Sequence, residues 1–486
     1  MDKTFLALTL LAAAQAGAQT NPGDDAIKFG EVTFTATLRS RIYVWDWFQP
    51  AGTYQNQYAY SGDLLRLNFA GKHGALDYDA EIAVPFLLDL PANATAPAPQ
   101  GALGLGSNYF TANGSNQYSA MAFPKQLYLR YHFGDKASES VQAGRFEFND
   151  GTELTPKDAT LATVKRDHVA QRLIGTFAFS DVGRSFDGVH YAWSQPTTDF
   201  TFIAATPTRG VYQTDGWGWN RIGFGYAAFT KDWGHGNHAA DTRIFAIDYD
   251  DFRHILKTDN RAMAVRKGDT ENIHIQTWGG HSVHVFTAKP GTFDALGWLA
   301  VQTGRWGTET QRSYALDVEG GFQPKILPAL KPWVRAGYTM GSGDNNANDT
   351  QHGTFFQILP TPRPYARFPF FNMMNTEDAF VALLLRPHSK VTISSEFHAL
   401  RLTNANDLWY SGGGAYQPWT FGYTGRAVSG RRSLGNLYDT SVEYRFNRHA
   451  TFTAYLGYAQ GHSVMELLYP SDKDGRFGYL EALFRM

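Results

Sequence analysis

Between Leu437 and Gly461 the chain reads LYDTSVEYRFNRHATFTAYLGYAQG, and every second side chain is apolar. Val442, Tyr444 and Phe446 alternate with Ser441, Glu443 and Arg445. After the interruption NRH, Phe452, Ala454, Leu456 and Tyr458 alternate with Thr451, Thr453 and Tyr455. A period of two predicts a β-hairpin with a short turn. Such a hairpin has two homes. In a soluble sandwich its apolar face packs on a second sheet. In an outer-membrane barrel that face meets lipid, and the polar face lines water.

The alternation recurs along the whole chain. GEVTFTATLRSRIYVWDWF sets Val32, Phe34, Ala36, Leu38, Ile42 and Val44 against Thr33, Thr35, Thr37, Arg39, Arg41 and Tyr43. DLLRLNFAGKHGALDYDAEIAV is a second hairpin, turning at Lys72 to Gly74. About eighteen such segments follow one another, an even number, as single-chain bacterial barrels have. The connections mostly alternate in length. Long ones include 91–117, 151–184, 342–374 and 403–434, and short ones include GKHG, GDKAS, SQPTT, LRPHSK and FNRHA. Long loops outside and short periplasmic turns are the pattern of an outer-membrane barrel, and a sandwich has no reason to sort them. The expected fold is all-β: a single transmembrane antiparallel barrel whose lumen is wide enough for water.

Composition agrees. The 486 residues show no shift that would divide them into domains; aromatics reach 15% while charged residues are 18%, and there are 48 glycines and no cysteine. A cysteine-free, glycine- and aromatic-rich chain suits a barrel exported through an oxidising compartment. The formal charge of −2 implies no global electrostatic partner. Basic residues are scattered, so nucleic acid is not an expected partner. The start, MDKTFLALTLLAAAQAGAQT, offers Lys3, an apolar run from Phe5 to Ala14 and the small residues Ala16, Gly17 and Ala18. It predicts a signal peptide over 1–18, leaving 19–486 as the barrel. No later apolar run is long enough to span a bilayer as a helix. Lipid, lipopolysaccharide and the barrel-assembly machinery are therefore expected partners, and a monomer is one assembly state the sequence allows.

Three stretches together resemble the alginate-export family of outer-membrane porins. They are AGRFEFNDG (143–151) with QRLIG (171–175) and GRSFDGVHYAW (183–193); YTMGSGDNNANDTQHGTFFQILPT (338–361); and SEFHALRLTNANDLWYSGGG (395–414). Their order matters more than any one of them. An insert, TELTPKDATLATVKRDHVA, departs from the pattern; Leu161, Val164 and His168 have helical spacing, so it predicts a short loop helix. The resemblance implies export of an anionic polysaccharide through an arginine-lined pore.

By strand parity the lumen face holds Arg39, Arg41, Arg66, Arg130 and Arg335, with Arg145 and Arg184 in the family-like segments. Guanidinium groups bind carboxylates bidentately and stay charged, so a ring of them selects anions. The same parity places Asp77, Asp79, Glu81, Asp317, Glu319, Glu396 and Glu443 in that lumen, where cross-strand pairing competes with solute contact. Asp344, Asn346, Asn348 and Asp349 cluster oxygens that suit Ca²⁺, but also an ordinary solvated turn. His274, His281 and His284 lack a closing ligand for zinc. No metal or cofactor is expected. Aromatics near strand ends, among them Tyr43, Trp45, Trp47, Phe48, Trp217, Trp219, Trp409 and Tyr410, suit interfacial girdles or loop packing.

No Gly-x-Ser-x-Gly elbow, His-Glu-x-x-His or P-loop is present. The expected function is a passive channel for an anionic, alginate-like polysaccharide. Uptake of small anionic or sugar-like solutes is the nearest rival. An outer-membrane enzyme acting on lipid or glycan, and a scaffold or adhesin that presents its loops, are rivals of another class.

Overall fold

A computed structural model describes residues 26–486 except 363, 364 and 371. The segment expected to be a signal peptide lies outside the described residues. Eighteen antiparallel strands close into one barrel. In chain order they are β1 Val32–Asp46, β2 Gln57–His73, β3 Leu76–Leu88, β4 Phe123–Phe133, β5 Glu139–Phe146 and β6 Phe186–Gln195. Then come β7 Thr198–Pro207, β8 Ile222–His235, β9 His238–Asp251, β10 Ile273–Thr287, β11 Gly291–Trp306 and β12 Glu309–Pro324. The last six are β13 Trp333–Gly341, β14 Thr376–His388, β15 Val391–Leu402, β16 Ser433–Arg445, β17 Ala450–Gly461 and β18 Gly475–Arg485. Each strand pairs with its neighbours in sequence, and β18 pairs with β1 from Thr37↔Arg485 to Asp46↔Arg476. Closure leaves no exposed sheet edge, which is what lets backbone cross hydrocarbon.

The connections sort by end as expected. At one end they are short: 74–75, 134–138, 196–197, 236–237, 288–290, 325–332, 389–390 and 446–449. At the other they include 89–122, 147–185, 342–375 and 403–432. Only 307–308 is a tight turn at that end. The long end is extracellular by the rule for such barrels.

The opening hairpin shows which face is wet. Val442, Tyr444, Phe446, Phe452 and Leu456 are exposed on the outside, Leu456 by 64%. Ser441, Tyr455 and Asp439 on the alternate parity are buried against the barrel contents. The interfacial aromatics differ in part from those nominated in the sequence. Phe133, Trp233, Phe286, Phe293, Phe446 and Phe484 stand exposed near the short-turn end. Trp217 and Trp219 are exposed near the other. Tyr43, Trp45, Trp47, Phe48, Trp409 and Tyr410 are buried instead. Trp45 stacks on Phe477 at 4.0 Å, and Phe48 on Phe370 of the 342–375 connection at 5.1 Å. Strand-end position alone does not say to which side a ring turns.

Candidate functional site: a charged lumen occupied by its own loops

The long connection between β5 and β6 does not stay outside. Helix α1, Ala159–His168, is capped by Asp158, whose side chain accepts from the Leu161 N–H at 2.8 Å. It buries Leu161 and Val164, the spacing that predicted it. Lys165 donates to Asp241 of β9 at 2.7 Å, and His168 Nδ1 lies 2.8 Å from Glu319 of β12. Just beyond, Arg172 donates to Asp317 of β12 at 2.6 Å. Arg243 of β9 faces Asp150 and Glu153 at 3.4 and 3.2 Å. The same connection then reaches β1: Arg39 donates to the Ala178 carbonyl at 2.7 Å, and Arg41 to the Phe179 carbonyl at 2.6 Å. One segment thus touches wall strands β1, β9 and β12 and crosses the lumen between them.

Two further connections add to the filling. Leu359 and Ile174 form a parallel bridge, with Gly175 N–H donating to Leu359 O and Leu359 N–H to Leu173 O, both at 2.8 Å. Gln302 of β11 donates to Phe356 O and accepts from Phe356 N, both at 2.8 Å. Arg184 ties all three connections together, donating to Gly414 O at 3.0 Å and Pro360 O at 2.9 Å. Its guanidinium has carbonyl partners only, and burial lowers it to about 10. Phe177, Phe355, Phe356, Ile358, Leu359, Tyr416 and Tyr423 form a buried apolar core inside the barrel. That core replaces water with packed side chains.

The arginines expected to line a pore are mostly engaged. Arg66 bridges Glu81 at 2.5 Å and Glu147 at 2.8 Å. Arg41 also pairs with Glu481, and Arg39 lies 3.2 Å from Asp181. Arg335 pairs with Asp294 and, at 2.6 Å, with Glu319. Arg130 donates to Gln142 rather than to a carboxylate. Asp77 takes His132 at 2.6 Å, Asp79 accepts from Asn68, and Glu396 lies 3.5 Å from His398. Glu443 is half-buried on the parity of Ser441. Cross-strand and wall-to-loop pairing therefore accounts for most of these charges.

Arg145 is a correction. It stands opposite Leu127, which is 57% exposed, and opposite Asp187, so it lies on the outer face and not in the lumen. There it forms a bidentate pair with Asp187 at 2.7 and 2.8 Å, beneath the carbonyls of Gly216 and Trp217. Arg184 is a second: it sits in the loop core, not on the wall. The Asp344 cluster has the turn chemistry that was one of its two readings. Asp344 accepts from the Asn346 N–H, Asn346 from the Asn348 N–H and Asp349 from the Gln351 N–H, so these oxygens close turns. Of the histidines, His281 points inward to Asp241 while His274 and His284 face outward, ten residues apart on one strand. Sequence reasoning missed Asp150, Glu153, Lys165, Arg172 and Arg243. Arg243 was within reach, because Asp241 and Arg243 alternate with Ile244 along β9.

A family model described as Alginate export matches residues 116–460. The chain belongs to the alginate-export family. No curated protein matches it in sequence. Solved porins share the fold. Pseudomonas aeruginosa OccK9 (OpdG) is 9% identical, covering 94% of this chain and 98% of its own, at a TM-score of 0.57. Acinetobacter baumannii OccAB2 is 8% identical over 94% and 99%, also at 0.57. Pseudomonas aeruginosa OpdK with vanillate is 8% identical over 93% and 98%, at 0.53. This alginate-export barrel is thus an outer-membrane channel by family and fold, and both are of channels rather than enzymes.

Proposed function

We propose that this barrel passes anionic, alginate-like polysaccharide passively across the outer membrane, and that the chain reaches that membrane through a cleaved signal peptide. Family membership supports the solute class. The observation that carries the proposal is the row of inward arginines on β1, Arg39 and Arg41, held against loop carbonyls rather than buried in wall-to-wall pairs alone. Withdrawal of the 147–185 connection would free those donors for carboxylates of a passing polymer. No nucleotide site or covalent step enters; each contact has only to be weak and repeated.

Uptake of small solutes is the second reading, and the filled lumen favours it, since a narrow residual path suits a small anion better than a polymer. A neighbour crystallised with vanillate has the same fold. A barrel that conducts nothing and presents its loops is a third. Single-channel recording separates them. Conductance blocked by alginate, with the block weakened in Arg39→Ala, supports polymer passage. Conductance blocked only by small carboxylates moves the assignment to uptake. A folded barrel without conductance overturns both.

A further inference from the structure

The outer wall carries a metal-ligand cluster unrelated to the lumen. Asp250 and His274 are paired across β9 and β10, and Asp248 lies one step down the same outward face. His274 Nδ1 is 2.7 Å from Asp250 Oδ1, and its Nε2 is 3.7 Å from Asp248 Oδ1. All three donors fall within 4.8 Å of one another. A neutral imidazole that donates Nδ1–H to Asp250 turns a lone pair toward a second carboxylate. At 3.7 Å those two atoms are too far apart for a hydrogen bond but suit two ligands of one cation. A carboxylate that orients a ligating histidine from its other nitrogen is a recurring arrangement.

The position says what completes the site. Toward the midplane the next outward positions are apolar, with Trp278 56% and Ile244 65% exposed. The cluster therefore lies just above the hydrocarbon edge, on the extracellular side, at the depth of outer-leaflet headgroups. Arg305 stands directly opposite His274 and is exposed, with no hydrogen bond or ion pair among the described residues. On the other flank Asp250 faces Gly223, where even a Cβ would meet open space. A cation beside an uncommitted guanidinium and an open flank matches a phosphate that takes both.

We propose that Asp248 and His274, oriented by Asp250, bind a divalent transition-metal ion, and that a phosphate of outer-leaflet lipopolysaccharide held by Arg305 takes one of the ion's open positions, water taking the rest. The test uses the full mature chain in detergent, with folding checked by heat-modifiable mobility, and Zn²⁺ alone as the first probe. Calorimetric titration should show a Zn²⁺ site that is lost in His274→Gln and Asp248→Asn and weakened about 10–100-fold in Asp250→Asn. Adding phosphorylated lipopolysaccharide should tighten Zn²⁺ binding in the parent. Arg305→Gln should abolish that tightening without weakening the binding of Zn²⁺ alone. Unaltered Zn²⁺ binding in folded His274→Gln overturns the metal site. Equal tightening by inorganic phosphate and by lipopolysaccharide, or none by either, overturns the lipid assignment.

Discussion

Arg172 and Asp317 meet at 2.6 Å between a loop and the barrel wall, and both side chains are closed to solvent. Arg172 also lies over the rings of Trp298 and Tyr365, at 5.0 and 4.5 Å. A buried pair like this contributes less to stability than its length suggests, but breaking it leaves a charge stranded. Arg172→Ala should therefore loosen the 147–185 connection by about 3–5 kcal/mol. The expected readout is higher single-channel conductance with faster hydrogen exchange across 159–184, while the barrel strands stay protected. Asp317→Asn should act in the same direction.

Arg184 is held by carbonyls of two other connections rather than by a carboxylate. A lysine has one ammonium centre and cannot reproduce that planar fork. Arg184→Lys should increase current fluctuation without lowering the thermal stability of the wall, and Arg184→Ala should do so more strongly.

The two faces of the last hairpin can be tested by charge. Leu456 is exposed to lipid, whereas Thr453 lies on the opposite parity. Leu456→Arg should cost about 2–4 kcal/mol if it lies near the bilayer midplane, and less toward either interface. Thr453→Arg should cost far less. Equilibrium unfolding in lipid vesicles measures both, and equal costs would contradict the assigned faces.

Asp407, in the extracellular 403–432 connection, accepts from Asp344 N–H at 2.9 Å, Thr354 Oγ1 at 2.6 Å and Tyr410 O–H at 2.7 Å. Burial raises its carboxyl to about 6, against the pull of these donors. A raised folded pKa means that the packed loop binds a proton more tightly than the loosened one. The contribution is complete below about pH 4, the ordinary aspartate value, and is lost as pH rises through about 6. Hydrogen exchange near 344 and 407, corrected for intrinsic rate, should show tighter packing at pH 5 than at pH 7. Asp407→Asn should flatten that difference.

The barrel was readable because its signal is periodic. Eighteen segments, their faces and the sorting of long from short connections all follow from alternation and turn chemistry, and β16 and β17 match the opening stretch nearly residue for residue. The lumen was readable only in part. Parity finds Arg41, Arg66 and Glu81, but it cannot say which loop carbonyl or carboxylate each will meet. Arg145 was nominated by a motif and not by parity, and a motif match carries no information about face: Arg145 shares the outer face of Leu127, while its neighbour Phe146 is buried on the other side. Loop residues such as Asp150 and Arg172 have no period at all. Their role depends on which wall the loop reaches after folding inward.

The pairing of Thr37 with Arg485 joins the two ends of the wall. Connections that occupy the interior, 147–185, 342–375 and 403–432 among them, lie between those ends in the chain. Within the wall β18 is the closing stave, and everything the cask will hold is strung between it and β1. A wall closed without those loops inside would have to admit them afterwards through an end of the barrel. Loop entry and strand closure are thus coupled in this chain by connectivity as well as by contact.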